Sequence, residues 1–179
     1  MEKKRSFFSW RFVRKERRRG NKQAALFLLI AIPSVFLFTR YVVSAGVVTD
    51  ISMFPTLPEG GYYFINKYIY RFTPPQRGDI VVLHPHKETQ WHYVKRVVGL
   101  AGETLQILSG LVYVNGRLLE EPYAFGKTQP DLGPIQIPKK SCYVMGDNRE
   151  NSEDSREFGY VPLDNIEGKI HPGKLFSPQ

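Results

Sequence analysis

The sequence predicts a mainly β domain, an all-β sandwich or open barrel, preceded by one N-terminal transmembrane helix. Short apolar runs rich in β-branched and aromatic residues recur at regular spacing after residue 62, as they do in sandwiches and barrels. Asn115-Gly116 lies between two of these runs and is the strongest short-range hairpin signal in the chain. An uncharged stretch of fifteen residues, 24–38, comes before them.

The positive charge of the chain is concentrated at its N-terminus. The net charge is +8, and residues 1–23 contain ten Lys or Arg and two acidic residues, whereas the remainder contains fifteen of each. A balanced body argues against a basic nucleic-acid-binding face on the folded domain. We interpret residues 1–23 as a basic cytoplasmic tail, with a nucleic-acid-binding arm as the alternative.

The apolar stretch after the tail predicts a membrane anchor over 24–43. A span needs about 17–25 residues, and the stretch reaches twenty if Arg40 extends its charge to the interface. Basic residues on the N-terminal side place that side in the cytoplasm, which predicts a single-pass plasma-membrane protein with an extracytoplasmic domain over 44–179. The alternative is a cleavable secretory signal ending at Ala45, which would also export the domain.

Strand-like runs continue through the body. They share apolar, β-branched or aromatic composition and lie at Tyr62–Tyr70, Asp79–Leu83, Trp91–Leu100, Thr104–Leu108, Leu111–Leu119, Ser141–Met145 and Tyr160–Val161. Three prolines and two glycines predict a loop over Gly126–Pro138. The polar segment Gly146–Gly159 is predicted to be irregular, and Pro162–Ile166 to form a helical turn.

Metal and disulfide chemistry find little support in the sequence. Cys142 is the only cysteine, which excludes an intrachain disulfide, and its apolar neighbours predict a small buried hydrophobe. His84 and His86 flank a proline, but no third ligand is evident. We therefore predict a polar turn there, with no metal and no other cofactor.

A serine in a rigid turn is the first candidate for a catalytic residue. Ser52 is followed closely by Pro55 and Pro58, which fix φ and lack an N–H, so the segment is neither helix interior nor central strand. Such a turn can hold a hydroxyl outward with its own N–H free, as an acyl-transfer nucleophile requires. An ordinary turn serine is the alternative.

A lysine within a predicted strand is the candidate base. Strand alternation places Tyr93, Lys95 and Val97 on one face, so the lysine has aromatic and apolar neighbours. Burial lowers the pKa of a lysine, and a neutral amine can take a proton from a serine hydroxyl. The alternative is a lysine that reaches water from the strand end. His92 falls on the opposite face, which disfavours a Ser-His-Asp triad.

The segment 146–156 is a second polar constellation. Asp154 and Arg156 are candidates for an ion pair, and Ser152 for a hydrogen bond with a neutral lysine amine. A buried network and a solvated loop are both compatible with this composition.

Four motifs occur together and in order along the chain. They are Ser-Met-x-Pro-Thr-Leu at 52–57, Arg-Gly-Asp-Ile-Val at 77–81, Lys-Arg-Val-Val-Gly-Leu-x-Gly at 95–102 and Gly-Asp-Asn-Arg-x-x-Ser-x-Asp-Ser-Arg at 146–156. With them the chain resembles the bacterial type I signal peptidase (leader peptidase) family from about Ser52 to Pro162. The anchor that precedes them fits the same family.

The resemblance implies a largely β fold with a Ser-Lys dyad, in which Ser52 is the nucleophile and Lys95 the general base. It also implies that Ser152 orients the lysine amine. A framework around the dyad is implied at Asp154, Arg156 and Arg96, and a structural role at Asp147 and Asn148.

The substrate implied by the resemblance is the signal peptide of an exported pre-protein, cut after a small-x-small sequence at the outer face of the membrane. The positions that resemble the family's walls for the small P1 and P3 side chains are Val48, Met53, Leu57, Tyr93 and Val94. The implied partners are pre-protein signal peptides and the lipid bilayer, with no nucleic acid.

Two positions depart from the family pattern. Asp50 stands where some members carry a serine whose hydroxyl helps the oxyanion hole. An ionised carboxylate cannot donate and would repel the oxyanion, so we expect Asp50 to point away. Ala101 stands where proline is frequent, and we expect no consequence. The chain is short, so a reduced second β region is expected at about 104–140.

The leading hypothesis is a membrane-anchored serine endopeptidase that removes signal peptides. A Ser-Lys protease of the self-cleaving repressor type is a rival enzyme. A non-catalytic anchored β module and a nucleic-acid binder that uses the tail are rivals of other classes.

Overall fold

The computed structural model describes residues 22–38, 42–86 and 91–171. The chain divides into two compact units, Met1–Tyr41 and Val42–Gln179. Except for residues 22 and 23, the predicted basic tail lies outside the described residues, as does Arg40 of the predicted anchor.

In the first unit, residues 22–38 form helix α1. Its large apolar side chains between Leu26 and Phe38 are exposed. Among the described residues, no helix combines the length and the apolar character needed to cross a membrane.

The described part of the second unit is mainly β, as predicted. Its strands are β1 Val43–Val47, β2 Tyr62–Asn66, β3 Ile80–Leu83, β4 Tyr93–Gly99, β5 Thr104–Leu108, β6 Leu111–Val114, β7 Arg117–Leu118, β8 Leu132–Gln136, β9 Ser141–Met145, β10 Val161–Pro162 and β11 Ile166–His171. Helix α2, Ser155–Phe158, is a single turn, and two 3-10 turns lie at Ile69–Arg71 and Leu163–Asn165.

These strands form two antiparallel sheets. The first has seven strands in the order β1-β2-β11-β3-β4-β9-β10, and the second has four in the order β7-β6-β5-β8. β3 is buried along its whole length, which explains why it reads as a continuous apolar run, and β4 is buried from Lys95 to Gly99. The second sheet lies within the range predicted for a reduced second β region.

Within the described residues, the core consists of three apolar clusters. One surrounds Val48, Met53 and Leu57 and includes the half-buried Val94. Burial of each such side chain contributes about 1.5–3 kcal/mol, so this cluster holds the chain after β1 firmly against the large sheet. Cys142 is 1% exposed in another cluster, which confirms that it is a small buried hydrophobe.

The Asn115-Gly116 hairpin is confirmed. The two residues have φ values of 52° and 74°, the left-handed pair that a tight two-residue turn with the twist of the strands requires. Val114 and Arg117 pair on either side of it.

The loop predicted over Gly126–Pro138 is partly wrong, because β8 lies within it and pairs with β5. β8 is an edge strand, where Pro134 can stand because an edge strand leaves half of its backbone groups unpaired. β1 was also missed, since its sequence continues the apolar character of the predicted anchor. Ala45, the alternative cleavage point, pairs with Phe64 in the middle of β1.

Candidate active site

Ser52 and Lys95 meet inside the second unit. Lys95 Nζ donates a hydrogen bond of 2.7 Å to Ser52 Oγ. Ser52 is 4% exposed and Lys95 1% exposed. Lys95 comes from the buried part of β4, and Ser52 from the turn between β1 and β2, so the tertiary fold brings together a hydroxyl and an amine that are 43 residues apart.

The turn that carries Ser52 is held by backbone hydrogen bonds. Phe54 N–H donates to Ile51 O at 3.0 Å, and Leu57 N–H donates to Met53 O at 2.9 Å. From across the site, Asn148 donates its N–H to Ser52 O at 2.9 Å and its side-chain amide to Ile51 O at 3.2 Å. The hydroxyl is therefore positioned by both sides of the site, and Asn148 has the structural place implied for it.

The environment of Lys95 favours the neutral amine. Burial lowers the pKa of Lys95 below its ordinary value of 10.5, and Arg156 acts in the same direction. The negative charges of Asp154, Asp50 and Glu153 oppose the shift, but burial outweighs them. The Tyr93 ring, 5.7 Å from Nζ, lies on the same side, as strand alternation predicts. The alternative of a lysine that reaches water is wrong.

Gly146 allows the two halves of the site to approach closely. A Cβ atom at this position would lie 2.2 Å from Ser152 Oγ and 2.6 Å from Ser52 O. Contacts below 3.0 Å are not tolerated by real side chains, and here one partner is backbone. Only glycine fits between the nucleophile turn and the polar segment that begins at residue 146.

The polar segment is a buried network rather than a solvated loop. Asp154 is fully buried and accepts two hydrogen bonds of 2.8 Å from Arg156, one of 2.9 Å from Gly146 N–H and one of 2.8 Å from Ser152 Oγ. Burial by itself would raise the pKa of Asp154, but the bonds and charge of Arg156, with Gly146 and Ser152, outweigh it and lower the pKa. The ion pair predicted between Asp154 and Arg156 is present.

Ser152 lies beside the site, but its hydroxyl donates to Asp154. Among the described residues Ser152 forms no hydrogen bond with the Lys95 amine, so an orienting role of Ser152 on Lys95 stays a prediction. Asp154 also accepts from the backbone N–H of Arg156 and thereby caps helix α2.

Arg96 does not belong to the Asp154 network, and this part of the implied framework is corrected. Its guanidinium makes a two-bond ion pair with Asp147, at 2.7 and 2.6 Å, and Asp147 also accepts from Thr56 Oγ1 at 2.5 Å. Since Arg96 is adjacent to Lys95, strand alternation directs it to the opposite face. There it fixes the end of the Ser52 turn through Asp147 and Thr56.

Sequence reasoning missed the role of Arg149. This residue is 2% exposed, pairs with both carboxylate oxygens of Glu121 at 3.0 and 2.7 Å, and donates to Gly146 O at 3.0 Å. Arg149 was present in the motif at 146–156, but its partner lies in the loop after β7, which no local pattern identifies. It ties that loop to Gly146.

A cleft of about 270 Å³ opens onto the Ser52–Lys95 pair. It is lined by all five residues that the resemblance placed in the substrate pocket, Val48, Met53, Leu57, Tyr93 and Val94. Lining residues that were not predicted are Val47, Thr49, Tyr63, Trp91, His92 and Glu153. Asp50 also lines the cleft and is exposed, and its charge raises the pKa of Lys95, so the expectation that it points away from the oxyanion stays a prediction.

A hydroxyl beside a buried amine, at the end of a cleft on a β scaffold, is the arrangement that hydrolases of the serine–lysine type require. A family model described as signal peptidase, peptidase S26, matches residues 21–172. The chain therefore belongs to the signal peptidase family, peptidase S26.

Two relatives in sequence agree with this assignment, those from Leptolyngbya laminosa and Synechocystis sp.. Signal peptidase I of Leptolyngbya laminosa is 41% identical over 72% of this chain and 67% of its own length. A probable signal peptidase I-1 of Synechocystis sp. is 34% identical over 89% of this chain and 81% of its own. A solved signal peptidase I from Enterococcus faecalis is 30% identical, with a TM-score of 0.49, and the match covers 55% of this chain and 98% of that one.

Proposed function

We propose that this protein is a membrane-anchored serine endopeptidase that cleaves N-terminal signal peptides from exported pre-proteins with a Ser-Lys dyad. The proposal rests above all on the 2.7 Å hydrogen bond between Lys95 Nζ and Ser52 Oγ in a site from which water is largely excluded. Membership of the signal peptidase family supplies the substrate class.

In the proposed reaction, neutral Lys95 takes the proton of Ser52 as Oγ attacks the scissile carbonyl carbon. The resulting ammonium then gives that proton to the departing amine, which leaves an acyl-enzyme on Ser52. A water molecule, deprotonated by the same amine, attacks the ester, and the proton returns to Ser52 Oγ as the acyl group departs. A single residue thus serves as base and acid in both halves.

The developing oxyanion needs donors near Ser52. The backbone N–H of Ser52 donates to no acceptor among the described residues, which leaves it available for this role. Asp50 cannot supply a donor when ionised, and its exposed position keeps its charge in contact with water. We therefore propose that the oxyanion hole consists of the Ser52 N–H and of further hydrogen-bond donors, with no contribution from Asp50.

The cleft suits small apolar substrate side chains. Val48, Met53 and Leu57 are each less than 10% exposed and form its apolar wall, while Tyr93 and Val94 line it from β4. A volume of about 270 Å³, shared between subsites, leaves little room for large P1 and P3 side chains. This supports cleavage after small-x-small sequences.

The proposed location is the plasma membrane, with the N-terminus in the cytoplasm and the catalytic domain outside. The exposed apolar side chains of α1 and the basic tail before it support an anchor over 24–43. An anchor would hold the site near membrane-tethered pre-proteins and so raise their effective concentration.

The decisive test is cleavage of a pre-protein by the full-length protein and its Ser52→Ala and Lys95→Met variants. We expect both substitutions to lower kcat/KM by about 10⁴-fold or more without loss of the fold, because each removes one reacting group. The controls are Ser141→Ala, at the start of β9, and the exposed Lys139→Met. Cleavage at the wild-type rate by both active-site variants would instead support a binding module.

The nucleic-acid-binding alternative makes a separate prediction. It requires retention on nucleic acid that weakens with salt and disappears when residues 1–23 are deleted. We expect no such salt-dependent retention of the full-length protein, and its presence there together with its loss on deletion of residues 1–23 would support the alternative.

A further inference from the structure

Three residues left without a role meet where adjacent strands of the large sheet end. His84 follows β3, His92 precedes β4, and Glu167 lies in β11 where the pairing with β3 shifts between Ile166 and Gly168. β11, β3 and β4 are neighbours in the sheet, and a bulge of this kind re-aims the side chain it carries. The fold therefore collects side chains that are distant in sequence.

One ligand atom from each of these three residues lies within 4.8 Å of the other two. The sequence offered His84 no third ligand, whereas the fold brings His92 and Glu167 close to it; the expectation that no metal binds stays a prediction. The additional ligands come from the neighbouring strands and not from His86, which is exposed and outside the group.

His84 carries an unsatisfied ligand atom. Its Nδ1 is buried and has no hydrogen-bond partner among the described residues. The rings of His84 and His92 have centroids 4.5 Å apart and are tilted by 60°. A buried ring nitrogen without a partner is costly, and a bound cation would satisfy it.

The carboxylate of Glu167 is already oriented toward the group. Its Oε2 lies 2.9 Å from His92 Nδ1, and its Oε1 forms an ion pair of 2.6 Å with Lys67 Nζ. Lys67 follows β2, the strand on the other side of β11, so its ammonium holds one oxygen while the other faces the histidines. Such an outer partner fixes the orientation of a metal ligand.

We propose that His84, His92 and Glu167 form a binding site for a divalent transition-metal ion such as Zn²⁺. Two imidazoles and one carboxylate are a zinc ligand set that leaves a fourth position for water. Tetrahedral bonds of about 2.0–2.2 Å place ligand atoms about 3.3 Å apart, so a group whose atoms now lie within 4.8 Å of one another would contract by up to about 1.5 Å around the ion. The His92 side chain is 53% exposed, which gives the ion a path from solvent.

The site is distinct from the Ser52–Lys95 pair and does not depend on the proposed peptidase activity. His92 nevertheless lines the same cleft, so a bound ion would stand at its rim.

The test is a Zn²⁺ titration of the full-length protein in detergent, purified without a polyhistidine tag and stripped of metal. Calorimetry should give one ion per chain. His92→Ala and Glu167→Gln should each weaken binding by more than the roughly 10–100-fold that loss of an outer partner costs. His84→Ala should do the same, and His86→Ala should leave binding unchanged.

Lys67→Gln removes the outer partner and keeps all three ligands. Loss of the ion pair that orients Glu167 should weaken Zn²⁺ binding by about 10–100-fold, which is less than the loss of a ligand itself. Circular dichroism verifies that each variant is folded. Because the His92 side chain is exposed, we expect His92→Ala to leave the stability of the domain nearly unchanged. Absence of stoichiometric binding in the wild type, or equal binding by the His92, Glu167 and His86 variants, would overturn the proposal.

Discussion

The Lys95 amine and the Ser52 hydroxyl are in direct contact, 2.7 Å apart, while less than 5% of either residue reaches solvent. An ammonium group in this position loses most of the stabilisation that water would give its charge. The nearby carboxylates of Asp154 and Asp50 compensate for only part of that loss. The amine therefore becomes neutral at a lower pH than an exposed lysine would, and we expect the rate of the proposed reaction to depend on pH.

We predict that kcat/KM for pre-protein cleavage rises with pH through the lowered pKa of Lys95 and then levels off. Below that pKa only the neutral fraction is active, so the rate should fall about tenfold for each pH unit. The measurement is a pH–rate profile from mildly acidic to alkaline conditions, in which the fold is monitored at each point. A flat profile would contradict a lysine base.

Removal of the Asp50 charge should move this profile. Asp50 raises the pKa of Lys95, so Asp50→Asn should shift the rising limb to lower pH, while the plateau rate changes by less than about tenfold. The exposed Asp131→Asn is the control, and its profile should match the wild type. If Asp50→Ser increased the plateau rate by orders of magnitude, a hydroxyl donor at this position would matter, and our assignment of the oxyanion hole would be wrong.

Gly146→Ala should inactivate the enzyme. The added methyl would press on Ser152 Oγ and on the backbone carbonyl of Ser52, and the turn that carries the nucleophile would have to move. Misplacement of a reacting group by about 1 Å costs about 10²-fold in rate, so kcat should fall by at least that factor. Gly133→Ala is the matched control, since its Cβ meets no atom within 4 Å. Equal kcat values for the two variants would refute the close approach.

Asp154→Asn should destabilise the domain strongly. The substitution leaves the Arg156 guanidinium, whose side chain is 5% exposed, without its counter-charge, and loss of one partner from a buried pair costs about 3–5 kcal/mol. Urea unfolding measures the change in the free energy of unfolding. Glu157→Gln, on the exposed side of the same helical turn, should change it by less than about 0.5 kcal/mol. A small effect of Asp154→Asn would show that the network is not structural.

Local sequence patterns predicted most of the strands because a strand buried on one or both faces leaves an apolar signature in the chain. Thr104–Leu108 and Ser141–Met145 are confirmed with their predicted bounds. The pattern failed at β8, where Pro134 reads as a loop residue but occupies a sheet edge, and at β1, where apolar residues continue a membrane-like stretch.

By itself, the sequence determined the β class, the hairpin at Asn115-Gly116 and the candidates Ser52 and Lys95, because each depends on residues that are close together in the chain. Tertiary structure alone decided which distant groups pair. In the tertiary structure Arg96 pairs with Asp147, and the Ser152 hydroxyl donates to Asp154. The tertiary structure also brings His84 close to His92 and Glu167. The physical reason is that such pairs depend on strand order, register and bulges, and these follow from the packing of the whole domain and leave no local periodicity to be read.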